Sequence, residues 1–183
     1  MTMTYLNKEQ KKRELIDLLK QKCYRKGDFL LSSGRRSEHY MNCKPVTLDG
    51  YGLELVSELM ADLIDEDAVA VGGLTLGADP LVAGIAMKAK IGGLIVRKEP
   101  KGHGTNAQLE GPELPKGSKV TVVEDVTTTC KSAIKAVRAI REAGYDVTRI
   151  VTLIDRQEYG EADIYALDAK CELLSVFELT ELL

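Results

Sequence analysis

The sequence has no tryptophan and only two phenylalanines, so its core must be filled mainly by aliphatic side chains. It also lacks an uninterrupted apolar run of the ~18 residues that a membrane-spanning helix needs, and it is polar and charged through Arg13. A cytoplasmic chain with no membrane span and no secretory signal is therefore expected. Positive charge is not in excess either: 25 Lys and Arg against 28 Asp and Glu leave a net charge of -3, and no global basic field is available to hold a nucleic-acid backbone. The four cysteines, Cys23, Cys43, Cys130 and Cys171, lie far apart without a C-x-x-C pair, and the chain has only two histidines. Structural zinc and disulfides are not expected on that pattern, and reduced thiols are.

What is present is the composition of one ordinary domain: 183 residues, 44% hydrophobic and 29% charged, enough to bury a single core. Asn7 followed by Gln10 has capping-box spacing, and Leu15, Leu18, Leu19 and Cys23 continue at helical intervals. Phe29-Leu30-Leu31 and His39-Tyr40-Met41 flank a polar stretch from Ser32 to Ser37, the pattern of a β-hairpin arm. Asp49 can cap a second helix, whose face is Leu53, Val56, Leu59, Met60 and Leu63.

Beyond that point short continuous apolar runs alternate with helical segments, which suits strands buried on both faces of a parallel sheet. The runs Ala68 to Val71, Leu94 to Val96, Val120 to Val123 and Ile150 to Ile154 are the predicted strands. Asp79-Pro80 opens a helix between the first two, and Ala133 to Ala143, closed by Gly144, fills the gap before the fourth. The predicted fold class is α/β, a doubly wound and mainly parallel sheet. Ligands of such sheets bind beyond the carboxyl ends of the strands, so function is sought in the loops after Val71, Val96, Val123 and Ile154. The stretch from Arg97 to Gly117 has no apolar periodicity and is read as a lid. The tail, Cys171 to Leu183, reads as a short apolar helix with Ser175 and Glu178 at capping-box spacing and offers no chemistry.

The most informative stretch is Val122 to Ser132, a buried strand ending in Glu124 and Asp125, then a hydroxyl-rich turn leading into a helix N-terminus. Backbone N–H groups and hydroxyls at such a terminus bind phosphate. Two carboxylates beside it would repel a bare phosphate, and a ribose, whose hydroxyls can donate to Glu124 and Asp125, fits better. Cys130-Lys131-Ser132 ends like a nucleotide-triphosphate P-loop, but Asp125 and Cys130 stand where that motif requires glycine. The lid opens with Arg97, Lys98, Lys101 and His103 between flexible glycines, a set of cations able to fold over a polyphosphate. His103 alone does not define a general acid, and His39 reads as an edge-strand residue. Arg156, after Asp155 at the end of the fourth strand, can reach a carboxylate, a carbonyl or a ring, or form a surface ion pair. Gly72 to Asp79 lets backbone approach a ligand but is not a dinucleotide fingerprint, because Leu74 replaces its second glycine.

On these motifs, together with Ser33-Gly34-Arg35, Tyr40-Met41-Asn42, Glu110-Gly111-Pro112 and Asp155-Arg156-Gln157-Glu158, the chain resembles the orotate phosphoribosyltransferases, of the type I phosphoribosyltransferase family. The resemblance covers nearly the whole sequence. It implies a single domain over 1–183, with an N-terminal helix and hood segment (1–48), an α/β core (49–183) and a long flexible catalytic loop. It implies Mg²⁺-dependent transfer of phosphoribosyl from phosphoribosyl pyrophosphate to orotate, giving orotidine 5′-monophosphate and pyrophosphate in pyrimidine synthesis. By resemblance, Glu124 and Asp125 hold the ribose hydroxyls, and Val126, Thr127, Thr128, Thr129, Cys130, Lys131 and Ser132 form the donor cradle. Thr128 and Arg156 touch orotate, and Arg97, Lys98, Lys101 and His103 take the pyrophosphate, most of them across a homodimer interface; Lys98, Lys101 and Asp125 are the implied catalytic residues. Mg²⁺ is held mainly by the substrate, with no metal site on the protein.

The sequence departs from the family pattern where Cys130 replaces a cradle glycine, and Leu76 and Ser32 stand where some members carry lysine. In left-handed backbone a Cβ costs about 1–2 kcal/mol, and a sulfur in the cradle would crowd phosphate. Two readings stay open on the sequence: an active transferase, or a catalytically impaired or regulatory relative that binds nucleotide or phosphoribosyl pyrophosphate. A thiolate at Cys130, placed at a helix N-terminus, would add redox sensitivity to the first.

Overall fold

The computed structural model describes residues 6–30, 36–99, 108–157 and 161–183. Helix α1 (Lys8–Lys22) is closed at its start by the expected capping box, in which the Asn7 side chain accepts from the Gln10 N–H and Gln10 returns the bond. Strands β1 (Tyr24–Leu30) and β2 (Arg36–Met41) form the antiparallel arm, a sheet of their own. A short helix α2 (Lys44–Thr47), not expected from the sequence, precedes α3 (Gly50–Ala61), which Asp49 caps as predicted by accepting from the Gly52 N–H at 3.0 Å.

The core alternates β3 (Ala70–Leu74), α4 (Asp79–Ala89), β4 (Gly92–Val96), β5 (Leu109–Glu110), β6 (Val120–Thr127), α5 (Lys131–Glu142), β7 (Arg149–Asp155), α6 (Glu161–Asp168) and β8 (Glu172–Glu178), then a 3₁₀ turn at Leu179–Leu182. The sheet order is β5-β4-β3-β6-β7-β8, parallel except for β4 with β5. Helices α1, α3 and α4 pack their buried leucines, Leu15, Leu55 and Leu81 among them, on one face. Helices α5 and α6 pack Ile134, Val137, Ala162 and Ala166 on the other. The predicted doubly wound α/β sheet is the fold observed.

Three expectations need correction. The first strand lies later than predicted and ends at Leu74, with Gly72 and Gly73 inside it. Small residues are required there: a Cβ on Gly73 would stand 2.4 Å from the Ala78 Cβ and 2.7 Å from the Val123 carbonyl. The lid is not structureless along its second half, because β5 pairs with β4 and the Arg97 N–H donates to the Gln108 carbonyl at 2.8 Å, fastening the two ends of the loop side by side. The tail is mostly the edge strand β8, parallel to β7, and the capping box belongs to Glu178 and Glu181 at the following turn.

The chain runs outward from β3 to β4 in one direction and from β6 to β7 and β8 in the other. The order reverses between β3 and β6, and a crevice opens there at the carboxyl ends of the strands.

Candidate active site

An open cleft of about 720 Å³ lies at that end of the sheet. Glu124 and Val126 to Ser132 form its floor and one wall, Arg156 enters from the end of β7, and Leu30, Tyr40 and Met41 of the β-arm face them. The sequence-predicted residues from Glu124 to Ser132, Asp125 excepted, therefore line one cavity together with Arg156.

Asp125 does not line that cavity. Its Oδ1 accepts from the Val126 N–H at 2.9 Å, and its Oδ2 stands 4.0 Å from Lys44 Nζ. Glu124 is buried, and its Oε2 has no hydrogen-bond partner. Burial, and next the charge of Asp125 beside it, push the Glu124 carboxyl well above the usual carboxylate range. A sealed acid next to a second carboxylate is an arrangement that hydroxyl donors would relieve.

The N-terminus of α5 opens into the same space. Cys130 is its N-cap residue but supplies no side-chain acceptor, so the N–H groups of the first turn are left for a ligand. Lys131 contributes backbone there more than charge, because its Nζ lies 5.8 Å from the Tyr165 ring centroid, on the α6 side. Thr127, in the same segment, buries its Oγ1 without a partner.

Cys130 does occupy left-handed backbone, with φ 59° and ψ 3°. Its side chain is only 4% exposed and belongs to the cluster beneath α5 and α6, so little sulfur faces the cleft. Burial, with Glu124 as the next cause, pushes the thiol up to about 12. The thiolate expected from a helix N-terminus is therefore absent: desolvation outweighs the helix dipole, and the group is a neutral apolar filler at ordinary pH.

At the far side, Asp155 is buried and held by Gln157, whose N–H donates to Oδ1 at 3.0 Å and whose Nε2 donates to Oδ2 at 2.8 Å. That turn carries Arg156, whose N–H donates to the Thr127 carbonyl at 2.9 Å. This bond fixes the Arg156 backbone at the cleft, and the side chain is buried and not left on the surface.

Among the described lid residues, Arg97 and Lys98 are not brought to this cleft. Arg97 pairs with Glu110 at 3.3 Å beside β5, and neither Arg97 nor Lys98 lines the cavity. Lys101 and His103 lie outside the described residues. Lys44 and Leu30 were not singled out as site residues in the sequence, and Tyr40 and Met41 entered only as part of a motif that carries the resemblance. Lys44 carries no periodic or motif signal, and only the folded chain, which brings the start of α2 near the end of β6, places its charge by Asp125.

A second groove, about 500 Å³, lies between α5 and α6 and is lined in part by Arg138, Arg141, Tyr165, Asp168 and Lys170. Arg141 there donates to the carbonyls of Ala169, at 2.8 Å, and Val147. Its cations face the C-terminal ends of two helices and Asp168, which accounts for their charge as helix termination.

Comparison with known proteins decides the family. A model of the phosphoribosyl transferase domain matches residues 52–178. The orotate phosphoribosyltransferase of Thermosynechococcus vestitus is 49% identical over 176 residues, covering 93% of this chain and 92% of that protein. The chain belongs to the orotate phosphoribosyltransferases. The member from Methanocaldococcus jannaschii is 43% identical over 84% of this chain and 88% of its own. The crystal structure of the orotate phosphoribosyltransferase of Mycobacterium tuberculosis in complex with phosphoribosyl pyrophosphate superimposes with a TM-score of 0.78, at 33% identity, over 94% of this chain and 98% of that one. An orotate phosphoribosyltransferase with cysteine at the N-cap of α5 keeps its cleft open because the side chain turns into the core.

Proposed function

We propose that this chain transfers the phosphoribosyl group of phosphoribosyl pyrophosphate to orotate, releasing orotidine 5′-monophosphate and pyrophosphate. The observation that carries the reading is the convergence on one cleft of the buried Glu124, with Asp125 beside it in the chain, an uncapped helix N-terminus and Arg156.

In this reading the 5′-phosphate sits against Thr127 to Ser132, whose hydroxyls and first-turn N–H groups donate to it. Glu124 and Asp125 accept from the ribose hydroxyls, which ends the isolation of Glu124 Oε2. Thr128 and Arg156 orient orotate, the guanidinium supplying donors matched to a carboxylate or carbonyl. The pyrophosphate leaves toward the lid cations Arg97, Lys98, Lys101 and His103.

The reaction needs no covalent nucleophile. As the C1–O bond to pyrophosphate breaks, the ribose becomes oxocarbenium-like and negative charge grows on the leaving group. Lys98 and Lys101 meet that charge and stabilise the transition state more than the bound substrates. Asp125, held by the Val126 N–H and Lys44, keeps the ribose at the orientation in which its C1 faces orotate. In this reading, as the family resemblance implies, the lid serves the site of a second copy in a homodimer, and the absence of Arg97 and Lys98 from the cleft of their own chain agrees with it.

Among the described residues no three His, Cys, Asp or Glu side chains converge on a metal position. The donor set that is present, Glu124 and Asp125, would fit a magnesium ion held mainly by the substrate. Bound there, magnesium neutralises pyrophosphate charge.

The test is to incubate the protein with orotate, phosphoribosyl pyrophosphate and Mg²⁺ and resolve the products by chromatography. Equimolar orotidine 5′-monophosphate and pyrophosphate are expected. Formation of neither overturns the proposal in favour of a relative that only binds.

A further inference from the structure

Arg156 is 5% exposed, yet its guanidinium crosses the seam between the core sheet and the β1–β2 arm. Its Nη2 donates to the Ser37 hydroxyl oxygen at 2.9 Å and to the His39 carbonyl at 3.0 Å. Ser37 is itself set in place, because its oxygen also accepts from the His39 N–H at 3.2 Å. The His39 ring is held in turn through Nδ1 by the Tyr24 hydroxyl at 2.8 Å, on the neighbouring strand. A guanidinium is a rigid planar fork, so fixing one of its nitrogens from two acceptors fixes the plane in which every other donor points.

We propose that Ser37 is the positioning residue for Arg156, so that orotate recognition depends on how the β1–β2 arm docks. This rests on the reading of Arg156 as the partner of orotate. Ser37 does not line the cleft and touches no substrate; it acts through the guanidinium. The donor site from Glu124 to Ser132 lies on the opposite wall and has no hydrogen bond to Ser37 among those described. Loss of the serine hydroxyl therefore loosens the base and leaves the phosphoribosyl donor held. A serine that merely fastened the arm to the core would instead affect both substrates together.

The experiment is steady-state kinetics of Ser37→Ala, Ser37→Thr and Arg156→Lys beside the unaltered protein, with each substrate varied in turn. Losing one hydrogen bond to a charged group predicts a rise of about tenfold in the orotate KM of Ser37→Ala, with the KM for phosphoribosyl pyrophosphate unchanged within about twofold. Ser37→Thr, which keeps the hydroxyl, restores most of the orotate affinity. Ser37→Cys preserves volume without a comparable acceptor and replaces Ser37→Ala in the comparison if the latter does not fold. An unchanged orotate KM in Ser37→Ala or Ser37→Cys, or an equal rise for both substrates, overturns the inference. If Arg156→Lys itself leaves the orotate KM unmoved, the underlying reading of Arg156 fails, and the positioning role fails with it. If Arg156→Lys raises that KM and the Ser37 variants do not, the positioning role fails alone.

Discussion

A Cβ built on Gly77 would stand 2.7 Å from the Oδ1 of Asp125, so the turn after β3 and the acidic end of β6 touch across the point where strand order reverses. Gly77 has no need of left-handed backbone; its constraint is the space occupied by the carboxylate. Gly77→Ala is expected to displace Asp125 and lower kcat/KM on the order of ten- to hundredfold, because misplacement of a positioning group by about an ångström has that effect. Thermal unfolding measured in parallel should change little, since Gly77 is only partly buried and Leu76 beside it is exposed.

Glu124 gives the ligand-free protein a pH signature. Its folded-state carboxyl titrates above its ordinary value of 4.5. The stability it contributes is present below that value and is lost as pH rises through the folded one. The melting temperature without substrates should therefore fall as pH rises above 4.5, and Glu124→Gln should flatten that fall. Calorimetry at several pH values checks it, and identical pH dependence in the variant would contradict it.

The cysteines predict a second, alkaline loss. Burial pushes Cys23 up to about 11 and Cys130 up to about 12, from an ordinary 9.0. Above pH 9 the unfolded chain releases protons that the folded chain keeps, which costs about 1.4 kcal/mol per pH unit for each such thiol. Urea unfolding at pH 8, 9, 10 and 11 should show the decline beginning near 9, and Cys23→Ala should reduce its slope. Cys130 should resist alkylation at pH 8 until the protein unfolds, with quantitative labelling of the native protein as the contrary result.

The lid can be tested by mixing. Lys98→Ala combined with Lys101→Ala is expected to lower kcat by about 100-fold or more, because these groups meet charge that grows only in the transition state. Arg156→Ala in a separate chain should fail for want of orotate binding. Co-refolded mixtures of the two should regain activity if the lid of one subunit serves the cleft of the other, and should regain none if each lid serves its own cleft.

The parts of this account that were legible in the sequence are those whose signal is contiguous. Val120 to Val123 and Ile150 to Ile154 read as central strands because every residue in them is buried on one face or the other. Glu124 to Ser132 read as a site because its chemistry lies in one stretch at a strand end. By contrast, β8 was hidden: as an edge strand with the burial of a half-exposed segment, it lacks the continuous apolar run of its neighbours. The end of β3 was hidden by Gly72 and Gly73, whose low strand propensity gives way to the close approach of Ala78 and Val123. The contacts of Lys44 with Asp125 and of Ser37 with Arg156 join residues far apart along the chain, and no local pattern announces them. Cys130 was legible as a departure, while the direction of its side chain, which decides its effect, is a property of the packed core.

The most direct measurement is the initial rate of orotate consumption, followed by its near-ultraviolet absorbance, under reducing conditions with each component omitted in turn. The account predicts consumption that requires both phosphoribosyl pyrophosphate and Mg²⁺ and that changes by no more than a few-fold in Cys130→Gly, because the cysteine side chain is already turned into the core. No consumption by the natural sequence, with activity appearing only in Cys130→Gly, would contradict it.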